Sequence, residues 1–173
     1  GHAKAQFNLG VMYDEGQGVP QDDKAAFKYY KLAAEQGHAS AQSNLGVIYE
    51  NGQGIAKDDK AAVKYYKLAA EQGDAKAQYN LGLMYDNGQG VPQDDKAAYR
   101  YYKLAAEQGD AYAQCNLGLM YDNGQGVPQD DKAAFKYYKL AAEQGEALAQ
   151  CNLGNMYCGG RGVPLDEKAA VKY

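Results

Sequence analysis

The chain rewrites one sentence every 36 residues, nearly five times over, and a period of that length excludes most of fold space. When Gly1 to Gln36 is laid over the segments beginning at Gly37, Gly73, Gly109 and Gly145, Asn8, Asn44, Asn80, Asn116 and Asn152 share one column. Tyr13, Tyr49, Tyr85, Tyr121 and Tyr157 share another. A unit this short cannot bury its own apolar face, so copies must stack and cover one another. The expected organisation is a single repeat domain over 1–173, with full copies at 1–36, 37–72, 73–108 and 109–144 and a partial copy at 145–173.

Within a copy, positions such as Asp74 to Asp86 read as a helix A. Steps of 100° gather Ala77, Leu81, Met84 and Tyr85 on one buried stripe, with Gly82 beside it for close helix packing. Asp74 and Asp110 suit the N-cap, while His2, His38 and Glu146 fill that column less well. Gly88 and Gly90 supply the backbone angles that end the helix, and Pro92 cannot continue it. Asp94 or Asp95 then caps helix B, whose Ala97, Ala98, Tyr101, Tyr102, Leu104 and Ala105 form a broad apolar arc. Lys96, Arg100, Lys103 and Glu107 take the remaining arc and face water, their stems lying over apolar surface. Both helices are amphipathic, so the predicted fold is all-α: helix–loop–helix hairpins stacked into a right-handed superhelical α-solenoid.

Composition supports a folded chain, since 46% of residues are hydrophobic. The apolar set is unusual: Ala and 17 Tyr dominate, with no Trp and three Phe, which pairs close helix approach with polar-tipped space filling. A net charge of −4 gives no footprint for nucleic acid. No apolar run approaches the roughly 20 residues of a membrane span. Gly1-His2-Ala3 recurs as Gly37-His38-Ala39 and is therefore read as native repeat sequence, and Lys172-Tyr173 breaks off inside a helix B, as in a piece cut from a longer array.

The columns assembled so far, A-x-A-Q-x-N-L-G-x-M-Y-x-x-G-x-G-V-x-x-D-x-x-K-A-x-x-Y-Y-x-x-A-A-E-Q-G, resemble the Sel-one-like repeats, relatives of the tetratricopeptide repeats with a longer glycine-containing loop. The resemblance covers the whole chain, with small departures at Ala56, in place of the loop proline, and at Cys158-Gly159. It implies an adaptor or scaffold that holds a protein or peptide partner on a curved surface lined by helices A. It also leaves two alternatives open: a β-lactam-binding or β-lactam-hydrolysing protein like the cysteine-rich Helicobacter branch, and a self-assembling array that associates end to end through its open C-terminal repeat.

Copies three and four differ at only four places, and helix A varies mainly at four columns spaced 3, 4 and 3. The columns begin Lys4, Phe7, Val11, Asp14 in the first copy and end Leu148, Cys151, Asn155, Cys158 in the last. Such spacing places each set on one helix face. The expected partner groove uses Phe7, Val11, Val47, Tyr79, Leu83, Tyr112, Cys115, Leu119 and Leu148, with Asp14, Glu50, Asp86 and Asp122 as an acidic edge. Asn8, Asn44, Asn80, Asn116 and Asn152 border it, and their amides suit either a bound peptide main chain or the backbone of a neighbouring hairpin.

Catalytic residues, metal ligands and cofactors are not expected. There are two Ser, no Thr and two His, and His38 with Ser43 makes no recurring nucleophile and base. The loop glycines follow no strand and carry no phosphate-loop Lys-Ser/Thr. Asp86-Asn87-Gly88 lacks the calcium-loop ligand spacing. In the cysteine-rich branch, a Cys near the end of helix B pairs with one early in the next helix A. Here that first position is Ala106 or Ala142, so Cys115, Cys151 and Cys158 are expected unpaired, which fits a reducing compartment although exported relatives exist.

Overall fold

The computed structural model describes residues 2–172; Gly1 and Tyr173, where the repeat register opens and breaks off, lie outside them. Among the described residues there are ten helices and no strand. The helices A are α1 (Ala3–Glu15), α3 (Ala39–Asn51), α5 (Ala75–Asn87), α7 (Ala111–Asn123) and α9 (Ala147–Gly159). The helices B are α2 (Asp23–Ala34), α4 (Asp59–Glu71), α6 (Asp95–Glu107), α8 (Asp131–Glu143) and α10 (Glu167–Lys172). The chain divides into two compact units, Gly1–Gln93 with α1 to α5 and Asp94–Tyr173 with α6 to α10. Within each unit every helix packs on the next in chain order, the arrangement of an α-solenoid.

Helix ends follow the caps. Asp22, Asp58, Asp94 and Asp130 accept first-turn amides of helices B, and Asp74 and Asp110 do the same for helices A. His38 caps α3 through Nδ1 at 3.3 Å from the Ala41 amide, whereas His2 and Glu146 make no side-chain cap. Helix α3 stops at Gly52, φ 71°, whose N–H returns to the Ile48 carbonyl.

Each core is built on a tyrosine laid across a glycine. Tyr30, Tyr66, Tyr102 and Tyr138 are buried among alanines. A β-carbon at Gly118 would come within 2.5 Å of the Tyr138 ring, and one at Gly46 would strike Tyr66. The helix B stripe is narrower than the sequence arc. It runs through Ala98, Tyr102, Ala105 and Ala106, while Leu104 stands 40% exposed because its position turns it toward the Lys103 side.

Two further devices join successive hairpins. Buried Gln42 donates to the Ala34 carbonyl at 3.2 Å and accepts from Gln72 at 2.6 Å. In the second unit Gln114 donates to Ala106 at 3.3 Å and accepts from Gln144 at 2.8 Å. Each caps the preceding helix B and clasps its own hairpin, satisfying orphan carbonyls without water. The second loop glycine lies flat on the start of the preceding helix B: a β-carbon at Gly90 would meet the Asp59 carbonyl, and one at Gly126 the Asp95 carbonyl.

Candidate functional site

The four variable helix-A columns meet different surroundings. The first is open: Lys4, Ser40 and Lys76 are exposed in the first unit, and Tyr112 (60%) and Leu148 (49%) in the second. Val11, Val47, Leu83 and Leu119 of the third column are half-buried.

In the second column, Phe7 and Cys115 pack toward the junction with the following hairpin. Cys115 is only 2% exposed and packs with Ala142, Ala149 and Leu153. Burial, and then the charge of Glu146, pushes its thiol up to about 11. Phe7 leans on the Tyr30 ring (5.8 Å) and stacks on His38 at 4.6 Å. Both are packing residues of the hairpin junction. Tyr79 is half-buried, and Cys151 is exposed.

The acidic edge is engaged inside the fold. Tyr30 donates to Asp14 at 3.1 Å, Tyr66 to Glu50 at 2.6 Å, and Tyr138 to Asp122 at 3.4 Å. In the first unit the asparagines complete this link, since Asn44 hydrogen-bonds Tyr30 and Asn80 hydrogen-bonds Tyr66. Each hydroxyl is thus held between a carboxylate of its own hairpin and an amide of the next. Burial first, and the neighbouring carboxylate with it, raises both phenols well above the ordinary value of 10.0. Asn8 is exposed, Asn116 is half-buried, and the Asn152 amide nitrogen is buried without a hydrogen-bond partner.

The last loop departs from this pattern. Arg161 stands where other copies have Gln, and it binds Asp122 at 2.6 Å and 3.5 Å, in competition with Tyr138. Sequence comparison flagged neither Arg161 nor the Gln42, Gln78 and Gln114 row. Their signals were a lone basic residue in a Gln column and a Gln unchanged in every copy.

Nothing joins Ser43 and His38 into a nucleophile and base. Ser43 is buried with its hydroxyl unpaired, and His38 is spent on the α3 cap and the Phe7 stack. Cys115, Cys151 and Cys158 are free thiols. No group of three or more His, Cys, Asp or Glu among the described residues is placed to hold a metal ion. No described helix is long and apolar enough to cross a membrane. Beside Tyr112 lies a cavity of about 240 Å³ lined by Ala111, Tyr112, Gln144, Gly145 and Glu146.

Hairpins of this period, clasped through a glycine-bearing loop and a tyrosine laid on glycine, define a helical repeat protein of the tetratricopeptide-like class. Sel1 repeat models match residues 3–38, 39–74, 75–110, 111–146 and 147–173, and the chain belongs to the Sel1 repeat family. It is 42% identical to a Sel1 repeat protein of Oxalobacter formigenes, covering 99% of this chain and 68% of that one with a TM-score of 0.93. A protective antigen of uropathogenic Escherichia coli with an SLR fold is 40% identical at a TM-score of 0.94. That match takes in 97% of this chain, which spans about a third (36%) of the antigen. The cysteine-rich protein B of Helicobacter pylori is more distant, at 28% identity over 78% of this chain and 96% of that one, with a TM-score of 0.59. No curated protein matches the chain. Sel1 repeat proteins are generally protein-interaction scaffolds and generally not enzymes.

Proposed function

We propose that this chain is a scaffold that docks a peptide or partner protein on the outward face of its helices A. The observation that carries this reading is the exposure of Tyr112 and Leu148, large apolar side chains that hairpin stacking leaves uncovered. Leu119, half-buried on the same helix as Tyr112, extends the apolar character within that unit, and Val11, Val47 and Leu83 give the helices A of the first unit a comparable character. Tyr79 adds to the apolar character in the first unit, and in the second Asn116 offers an amide beside Tyr112's helix face. Phe7, Cys115, Asn44 and Asn80 serve the docking surface indirectly, by fixing the hairpins that present it.

Selection of displayed peptides against the full chain, followed by Tyr79→Ala/Tyr112→Ala and Leu148→Ala, tests this. Selected peptides lose at least tenfold in affinity on the variants, whose helical circular dichroism stays unchanged. Retained affinity on folded variants overturns it.

A second reading, end-to-end association, draws on the ends. Ala5 and Leu9 are exposed where Ala41 and Leu45 are fully buried, and Leu165, in the loop before α10, and Val171, within it, are exposed. Sedimentation that depends on protein concentration, and ceases when a capping helix is appended, supports it; a concentration-independent monomer refutes it.

A further inference from the structure

We infer that the cavity beside Tyr112 is a receptor for one basic side chain of the partner, arginine or lysine, seated next to an apolar residue that covers Leu148. This rests on the peptide-docking reading above and names the chemistry it selects.

Two independent features make the second unit's cavity unlike its counterpart in the first. The ring comes first. Tyr112 presents an exposed aromatic side chain where the first unit has Ser40, and a ring face attracts ammonium and, better, guanidinium groups. The second is a carboxylate not used for capping. Asp74 spends its side chain on the Ala77 amide at 2.8 Å, whereas Glu146, one methylene longer, makes no cap and lines the cavity. Gln144 donates through its Nε2 to Gln114, which leaves its carbonyl oxygen as a third acceptor at the cavity wall. No Lys or Arg lines the cavity, so no side chain of its wall already neutralises the carboxylate.

The α9 N-terminus opposes a cation with about half an elementary charge, and the full charge of the Glu146 carboxylate outweighs it. A space of about 240 Å³ admits a guanidinium and its methylene stem. The chain's net charge of −4 favours approach of a basic partner.

The test is a ¹⁵N chemical-shift titration of the full chain with acetyl-Ala-Leu-Arg-Ala-amide and its citrulline counterpart, which keeps the shape and removes the charge. The arginine peptide is expected to move the Tyr112, Gly145 and Glu146 amides and to bind about tenfold tighter than the citrulline peptide, as for a cation on a ring and a carboxylate. Glu146→Gln erases that difference without unfolding the chain. Glu143→Gln, which removes the same charge from the α8 surface, leaves it intact. Equal binding of both peptides at these amides overturns the basic-residue inference while the docking reading stands. Shifts from neither peptide at any helix-A surface overturn both.

Discussion

The unit of α1 to α5 and the unit of α6 to α10 use the same columns, and they differ where the columns face outward. In the first unit the tyrosine hydroxyls of α2 and α4 sit in closed links with Asp14 and Asn44, and with Glu50 and Asn80. In the second, Arg161 draws on Asp122, Tyr138 stands 3.4 Å from the same carboxylate, and the Asn152 amide is buried unpaired. The open column also changes, from Lys4, Ser40 and Lys76 to Tyr112 and Leu148. Residues that join hairpins recur, while those facing outward are free to acquire a ligand's chemistry. The unit with the stickier surface carries the looser internal link.

If both units stack by one rule, their loop glycines must fail alike. Gly90→Ala and Gly126→Ala each force a left-handed residue, φ 68° and 66°, and drive a methyl into a backbone carbonyl of the preceding helix B. Strain of about 1–2 kcal/mol plus overpacking of similar size gives a loss of about 3 kcal/mol in urea unfolding. Gly73→Ala keeps the positive φ, 88°, but meets nothing within 4 Å, so it costs about 1 kcal/mol. Equal losses at Gly73 and Gly90 defeat the argument from close approach; unequal losses at Gly90 and Gly126 defeat the shared rule.

The hydroxyl links separate the units next. Tyr66→Phe strips a 2.6 Å hydrogen bond from a half-buried carboxylate and is expected to cost about 2 kcal/mol, as for a charged acceptor left unmet. Tyr138→Phe costs about 0.5 kcal/mol, because Arg161 already serves Asp122. Melts of the two variants in neutral buffer decide this; a Tyr138→Phe loss as large as that at Tyr66 breaks the contrast.

The same phenols set the alkaline limit. Their folded values lie above the unfolded value of 10.0, raised chiefly by burial, so their contribution is complete below pH 10. Above it the unfolded chain releases protons that the folded chain retains, and stability falls by about 1.4 kcal/mol per pH unit for each such tyrosine. The tyrosinate absorbance near 295 nm that belongs to Tyr30 and Tyr66, read as the difference from a Tyr30→Phe/Tyr66→Phe variant, then appears with unfolding. A fully folded chain at pH 11 with Tyr30 and Tyr66 ionised contradicts the closed links.

The sequence made the hairpins, the caps and the tyrosine and alanine core readable, because each rests on local spacing that recurs in every copy. The site was legible only in part. A helical wheel places Cys115 and Phe7 on the outward side, yet the following hairpin covers one and His38 stacks on the other, and a single helix carries no record of its neighbour's position. The asparagine row held two readings for the same reason. The tyrosine it meets lies 14 residues earlier in the chain, on the preceding helix B, as Asn44 does with Tyr30. Glu146 reads from the sequence as a poor cap, but only the fold places it with Tyr112 at one cavity.

The finest contrast is the one Arg161 creates. Replacing it with the glutamine of the other loops, Arg161→Gln, removes a surface-side ion pair whose arginine is well exposed, a loss of no more than about 1 kcal/mol. It also returns Asp122 to Tyr138, which recovers part of that loss. The net change is therefore small and uninformative alone. The informative quantity is coupling: in the Arg161→Gln background, Tyr138→Phe becomes as costly as Tyr66→Phe, a non-additivity of about 1.5 kcal/mol. The cycle Arg161→Gln, Tyr138→Phe and their double variant measures it by urea unfolding. Strict additivity means that Arg161 and Tyr138 do not compete for Asp122, and the looser link of the second unit then has another origin.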